Sequence, residues 1–548
     1  MNKKNILLIL IIIFAAFIRI YKITTIPPAL FYDEVDSGYQ ASVFNQNQTD
    51  YYGRKFPIHF KSFGDYRTSL HIYSIAFMQK IIHHPDLSIR LPSALYGILS
   101  VFVLYLITNS IIPSFLLALS PWAIHYSRIG FEVSAMMAVI LLGLYFWLKF
   151  IKSKKHIFIY LSFFFFCLSP YFYSTAKLFI VIIFILLFCV WFKAIKNIGF
   201  KKFLVPISFT IFLLIPLIYD TIKGNAGYRF SYISIFSMPH REQIVDTLRH
   251  QDAITDHPNQ IGTQTTLISS LFHNKYQLVL QKFISNYITS FSSEFLFLKG
   301  DSNIRHGFGN HGLLYLIDFI FILFGIFTFL FFDKKNKLSL MFLALLLSSP
   351  LPFSLTRDSS SAHATRLFLM LPSIIYFSYK GIVFFTSQHH RYIYFIVSLY
   401  FLSFLNFCHY YYYHYPQESA MDWNMSMKEA VIATTDYQDN ILVFSDNYLS
   451  FISPFLYYYP YKLNLDDSID NHLKLVDNES FSGQVIDDKY YFGHLNWKDL
   501  SKFPPHSIFI LPSTEYKSNS LSNFQTLTLI DKKYENQEAF YLIQSNEN

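Results

Sequence analysis

About eleven apolar stretches crowd the first 410 residues, and a chain built this way has few options besides folding within a bilayer. A membrane helix needs about 20 mainly apolar residues, fewer where aromatic or snorkelling side chains flank it. The stretches cover residues 5–22, 89–108, 111–127, 131–150, 157–172, 176–192, 203–219, 312–332, 338–355, 366–385 and 392–410. Hydrophobic residues make up 53% of the 548 and charged residues 15%, too little polar surface to cover a soluble protein of this size. The sequence predicts an α-helical polytopic membrane protein. The first stretch follows Lys3 and Lys4 as a signal peptide would, but no small-residue cleavage site follows Arg19 and Tyr21, so a retained helix is expected.

Charge gives the expected orientation. Lys152, Lys154 and Lys155 follow the fourth span, Lys196, Lys201 and Lys202 the sixth, Lys334, Lys335 and Lys337 the eighth, and Arg391 the tenth. Cytoplasmic loops are rich in Lys and Arg, which predicts a cytoplasmic amino terminus in a plasma membrane. Arg19 and Lys22, at the outer end of the first span, run against the trend. The net charge of +8 sits in short clusters between apolar runs, not in a basic stripe, which argues for a bilayer partner and against nucleic acid. Cys167, Cys189 and Cys408 lie in or beside apolar runs and imply no disulfide framework.

Three long segments then share the outer side: loops 23–88 and 220–311, and a tail. The expected domains are a transmembrane unit over 1–410 and an extracytoplasmic α/β domain over 411–548. The tail reads as a helix near Ser426–Thr435 and strands at Ile441–Ser445, Ser507–Leu511 and Ala539–Ile543.

Candidate chemistry begins at Asp33, Glu34 and Asp36, just beyond the first span. Carboxylates beside a bilayer cost free energy unless hydrated or paired. Solvated charges capping a helix at Ser37–Phe44 and a reactive site fit the spacing equally well. Glu132, at the outer mouth of the fourth span after a turn over Ser120–Glu132, either complements a helix dipole or faces Asp33. Arg54, Lys61, Arg67, Lys177, Arg357 and Arg366 are outer cations that serve as interfacial anchors or as phosphate ligands.

Several separated motifs follow one another in order. They are Asp33-Glu34, Tyr52-Gly53-Arg54-Lys55-Phe56-Pro57, Ser62-Phe63-Gly64-Asp65-Tyr66, Ser88-Ile89-Arg90-Leu91-Pro92, Ser120-Pro121-Trp122 with Ser127-Arg128, Gly300-Asp301 through Arg305-His306, and Ser349-Pro350 with His363-Ala364-Thr365-Arg366. Their order over about residues 1–385 resembles integral-membrane glycosyltransferases of the GT-C type, in the group of protein O-mannosyltransferases and aminoarabinose transferases. The resemblance implies a polyprenyl-phosphate sugar donor, a protein, lipid or glycan acceptor, Asp33 as catalytic base supported by Glu34, and Glu132 as a further acidic residue. It implies donor-phosphate binding by Arg67, Lys177 and Arg366, although Arg67 lacks the proline that usually follows. It places substrate contacts at Arg54, Asp65, Arg128, Arg305, His306 and His363. Some relatives in the wider fold hold a divalent ion between acidic residues, a role open to Asp33 and Glu132, and no cofactor is assigned. Two rivals stand beside this: a ligase or polymerase of diphosphate-linked glycans, compatible with Arg229, Arg241 and Arg249, and a transporter, for which no repeat halves are found.

Overall fold

The computed structural model describes residues 3–63, 65–224, 227–256, 266–357, 361–388, 390–445, 451–460, 468–496, 500, 502–518, 524–531 and 538–545. Helices occupy all eleven predicted spans. Among the described residues, seven are long and apolar enough to cross a membrane: Pro85–Thr108, Val133–Ser153, Ala176–Ile198, Phe200–Lys223, Lys337–Ser354, Ala364–Ser387 and Tyr392–Glu418. Two apolar helices, His156–Phe172 and Leu316–Phe332, are shorter. The first, α1 (Lys3–Ile20), carries Lys3, Lys4 and Arg19 at its ends. The chain is an integral membrane protein.

The third predicted span is not one helix. It divides into Ile111–Leu119 and Pro121–Arg128, because Ser120 takes ψ 124, the extended conformation that a following proline imposes. The turn expected over Ser120–Glu132 is therefore largely helical.

The chain forms two compact units. The first comprises Met1–Ile11, Ser100–Ala123 and Met136–Phe404. Its tightest helix pair, Leu316–Phe332 with Leu371–Gln388, crosses at two glycines. A Cβ on Gly325 would lie 1.9 Å from the Phe377 carbonyl oxygen, and one on Gly381 2.0 Å from that of Phe321. Backbone meets backbone there, as small residues allow where lipid supplies no hydrophobic drive for helix association.

The second unit comprises Ile12–Leu99, Ile124–Ala135 and Leu405–Asn548. It starts from α2 (Tyr32–Asn47), then a hairpin of β1 (His59–Lys61) and β2 (Tyr66–Thr68), and α3 (Ser69–Ile81). The expected helix at 37–44 begins five residues earlier, since the Glu34 carboxylate reaches back to accept from the Phe31 amide at the helix start. All three acidic residues thus lie inside the helix, not before it.

The tail builds a seven-stranded sheet of β3 (Leu442–Ser445), β4 (Leu473–Asp477), β5 (Phe481–Ile486), β6 (Tyr490–Leu495), β7 (Ile508–Pro512), β8 (Phe524–Asp531) and β9 (Glu538–Ser545), in the order β4-β5-β6-β3-β7-β9-β8. Strand β3 is parallel to both neighbours and wholly buried, which is why it reads as an unbroken apolar run. The predicted strands and the helix (Met425–Ala433) are present. On one face, Phe444, Phe455, Phe492 and Ile510 pack with Tyr39, Val43 and Tyr51. The loop that follows α1 and the sheet at the end of the chain thus share one core.

Replacing Gly381 by Val should force these helices apart at a cost of about 1–3 kcal/mol. Thermal unfolding in detergent should show a lowered midpoint, and an unchanged one would mean that the crossing is not close.

Candidate functional site

Four carboxylates, Asp33, Glu34, Asp36 and Glu132, and two arginines, Arg67 and Arg90, within the second unit determine what the acidic segment can do. Glu34 is completely buried and fully committed. Its Oε1 accepts from Arg90 Nε at 2.9 Å and from the Gly130 amide at 2.6 Å, and its Oε2 accepts from Arg90 Nη2 at 3.1 Å and from the Phe31 amide at 3.0 Å. Arg90 spends its remaining donors on the carbonyls of Ile23 and Pro27, each at 2.9 Å, and on that of Ala29. Gly130 has no room for a side chain, since a Cβ would stand 3.0 Å from Glu34 Oε1 and 2.9 Å from Ile89. Glu34 therefore fixes the start of α2 and does not face a ligand.

Asp33, in the first turn beside it, points elsewhere. Its side chain is 36% exposed and its Oδ1 accepts from Arg67 Nη2 at 2.5 Å. Asp36, on the same helix face, accepts from Arg67 Nε at 2.6 Å and from the Ser62 hydroxyl at 3.0 Å on Oδ2, and from the Tyr51 hydroxyl at 2.9 Å on Oδ1. Burial pushes its carboxyl up, against the opposing pull of Arg67. Arg67 loses by burial and gains more from Asp33 and Asp36, so its guanidinium is held well above the ordinary range; Glu132 adds to that gain. Asp33, Arg67 and Glu132, taken separately from the sequence, share one electrostatic cluster.

Asp36 belonged to the candidate acidic cluster without a role of its own, and Tyr51, Ser62 and Arg90 had none assigned. The spacing of Asp33 and Asp36, three apart, was the available sign that both project from one helix face.

Other predicted residues hold the scaffold. Arg54 donates to Asp50 at 2.8 Å and to the His59 carbonyl at 2.7 Å, with Tyr66 beneath its guanidinium. Asp65 accepts from the Tyr66 amide at the hairpin turn. Arg128 is buried, donates to the carbonyls of Ile18 and Ile26 at 2.7 and 2.9 Å, and lies over the rings of Tyr411 and Tyr412.

The remaining predicted residues belong to the first unit. Asp301 gathers four of them. Its carboxylate accepts from the amides of Asn303 and Ala364 at 2.9 and 2.8 Å, and His363 Nδ1 stands 3.7 Å away. The His306 ring packs on His363 with centroids 4.7 Å apart and meets the Thr365 hydroxyl at 3.1 Å. Burial raises the Asp301 carboxyl to about 6, while those amides and then Arg366 and Arg305 act against it. Lys177 donates to the Thr221 hydroxyl at 3.1 Å. Arg241 and Arg249 donate to the carbonyls of Phe236 and His273, and the Arg229 side chain lies outside the described residues.

Asp33, one of the two acidic residues open to a divalent ion, is paired with the Arg67 guanidinium. Among the described residues no group of three His, Cys, Asp or Glu side chains is placed to hold a metal ion.

No protein-family model matches the chain, and no curated protein matches its sequence. Among solved structures, ArnT from Cupriavidus metallidurans bound to undecaprenyl phosphate aligns with a TM-score of 0.51 at 10% identity, over 98% of this chain and 97% of that one. The archaeal oligosaccharyltransferase AglB from Archaeoglobus fulgidus, in complex with an inhibitory peptide and a dolichol-phosphate, aligns with a TM-score of 0.47 at 12% identity, over 83% of this chain. The present chain spans 64% of its length. ArnT is a GT-C glycosyltransferase, and the end-to-end match shows that this chain has the GT-C fold.

Glu34→Gln should leave Arg90 buried without its counter-charge and cost about 3–5 kcal/mol, read as a large drop in the thermal midpoint. An undisturbed midpoint would rule out the buried pair. Asp301 gives a second expectation. Its folded-state value lies above the unfolded one, so its contribution is complete below about pH 4 and is lost as pH rises through about 6. Compared with Asp301→Asn across pH 4–7, the wild type should lose on the order of 2 kcal/mol of relative stability, and a flat difference would count against the burial.

Proposed function

We propose that the protein transfers a single sugar from a polyprenyl-phosphate donor to an acceptor hydroxyl, with Asp33 as the general base. The observation that supports this reading is a partly exposed carboxylate gripped at one oxygen by an arginine, in a chain of GT-C fold. Asp33 takes the acceptor proton, the acceptor oxygen bonds to the anomeric carbon, and the bond to the phosphate breaks with inversion. The electron pair leaves with the polyprenyl phosphate.

Glu34 acts at a distance by fixing the helix that carries Asp33. Arg67 is the nearest cation to Asp33, yet two carboxylates already neutralise it, which makes it a holder of the base more than a phosphate clamp. The phosphate roles of Lys177 and Arg366, and the substrate contacts of Arg305, His306 and His363, rest on the sequence resemblance. The acceptor is a protein, lipid or glycan, and the basic loops favour a reaction on the outer face of the plasma membrane with the amino terminus inside.

The decisive measurement supplies purified protein with labelled polyprenyl-phosphate sugars, mannose among them, and in parallel with a diphosphate-linked glycan, following release of the lipid phosphate. Turnover of a monophosphate donor is expected, falling about 100- to 10,000-fold in Asp33→Asn. Consumption of the diphosphate-linked glycan alone would establish the ligase reading instead. Full activity of Asp33→Asn would remove the proposed base.

A further inference from the structure

Asp36 lies three residues beyond Asp33 on α2, and its side chain is 2% exposed against 36% for Asp33. A group so enclosed does not meet substrate. Its oxygens are taken by Tyr51 on one side and by Ser62 and Arg67 on the other. Arg67 thus divides the Nε and Nη2 edge of its guanidinium between two carboxylates. That edge commonly closes on both oxygens of one carboxylate. Asp33 receives a single hydrogen bond, at Oδ1, and its Oδ2 takes none among the described residues.

Resting on the reading of Asp33 as the base, we propose that Asp36 is a positioning residue: it holds Arg67 so that the guanidinium grips Asp33 by one oxygen and leaves the other to take the acceptor proton. Tyr51 and Ser62 fix Asp36 in turn, so the hairpin and the loop before it set the direction from which Arg67 arrives. Without the Asp36 charge, the same edge closes on Asp33 alone, occupying both oxygens and stabilising the form that does not accept a proton. The other titratable groups near this corner are Glu132, His71 and the paired Glu34 and Arg90. They stay in place in the variants below.

Two readouts are taken on the full-length protein in detergent for Asp36→Asn, Arg67→Gln and the double variant. One is the pH dependence of kcat and kcat/KM with a labelled polyprenyl-phosphate sugar. The other, independent of turnover, is the pH dependence of carbodiimide labelling at Asp33, followed by mass spectrometry. Asp36→Asn should move the acid limb and the labelling midpoint down by about 1–2 pH units, with kcat falling more than KM changes. Arg67→Gln should move both up, and the double variant should stay near Arg67→Gln, because Asp36 acts through the guanidinium that is then missing.

If Asp36→Asn folds and leaves both midpoints where they were, Asp36 only stabilises the fold and the proposal is overturned. If Asp36→Asn does not fold, Ser62→Ala and Tyr51→Phe, which loosen Asp36 while keeping its carboxylate, decide: midpoints that move down support the proposal, and midpoints at the wild-type position overturn it. Labelling midpoints that move as expected while the wild type transfers no sugar would support the Asp36 and Arg67 arrangement and overturn the transfer reading.

Discussion

The contact between Glu34 and Arg90 is the one on which the site depends. Both side chains are wholly buried, where an ion pair survives only with good geometry and satisfied neighbours. Here the carboxylate takes four hydrogen bonds and the guanidinium reaches three backbone carbonyls. Those carbonyls, of Ile23, Pro27 and Ala29, belong to a segment whose prolines keep it from being helical and which would otherwise have little to hold it. One pair therefore shapes the approach to α2, starts the helix and ties it to Gly130. Asp33 inherits its direction from that arrangement, because its neighbour in sequence is immobilised.

Arginine is the side chain suited to such a task. Its planar fork can hold a carboxylate and several carbonyls at once, and it stays charged when buried. The unit uses it repeatedly: Arg90 at the start of α2, Arg128 between Ile18 and Ile26, and Arg54 within the loop between α2 and β1. Arg67 differs in facing two carboxylates at once, one of them open to solvent. Structure and chemistry meet at that residue.

The membrane helices were legible because a bilayer leaves little choice: length and hydropathy alone place a span. The acidic segment was legible as a candidate, and so was Glu132. The division of labour within it was not, since Glu34 and Asp33 differ only in what lies across from them, and Arg90 is 56 residues away. Gly130 gives no sign in sequence that its amide caps a carboxylate. Outer strands such as β4, β5 and β8 also went unread, because half-exposed antiparallel strands lack the continuous apolar run that marked β3. The break at Ser120 was foreseeable from Pro121, but a run of apolar residues hides a change of direction.

The core shared between α2 and the carboxyl-terminal sheet sets an order of events during synthesis. Tyr39, Val43 and Tyr51 rest on Phe444, Phe492, Ile508 and Leu542, and Tyr51 is also the residue that braces Asp36. The ribosome makes the acidic helix well before the sheet that supports it. Until then this helix waits without its lower surface, and the membrane helices between them are made before the site is closed. A chain that lacks these strands leaves α2 without a floor.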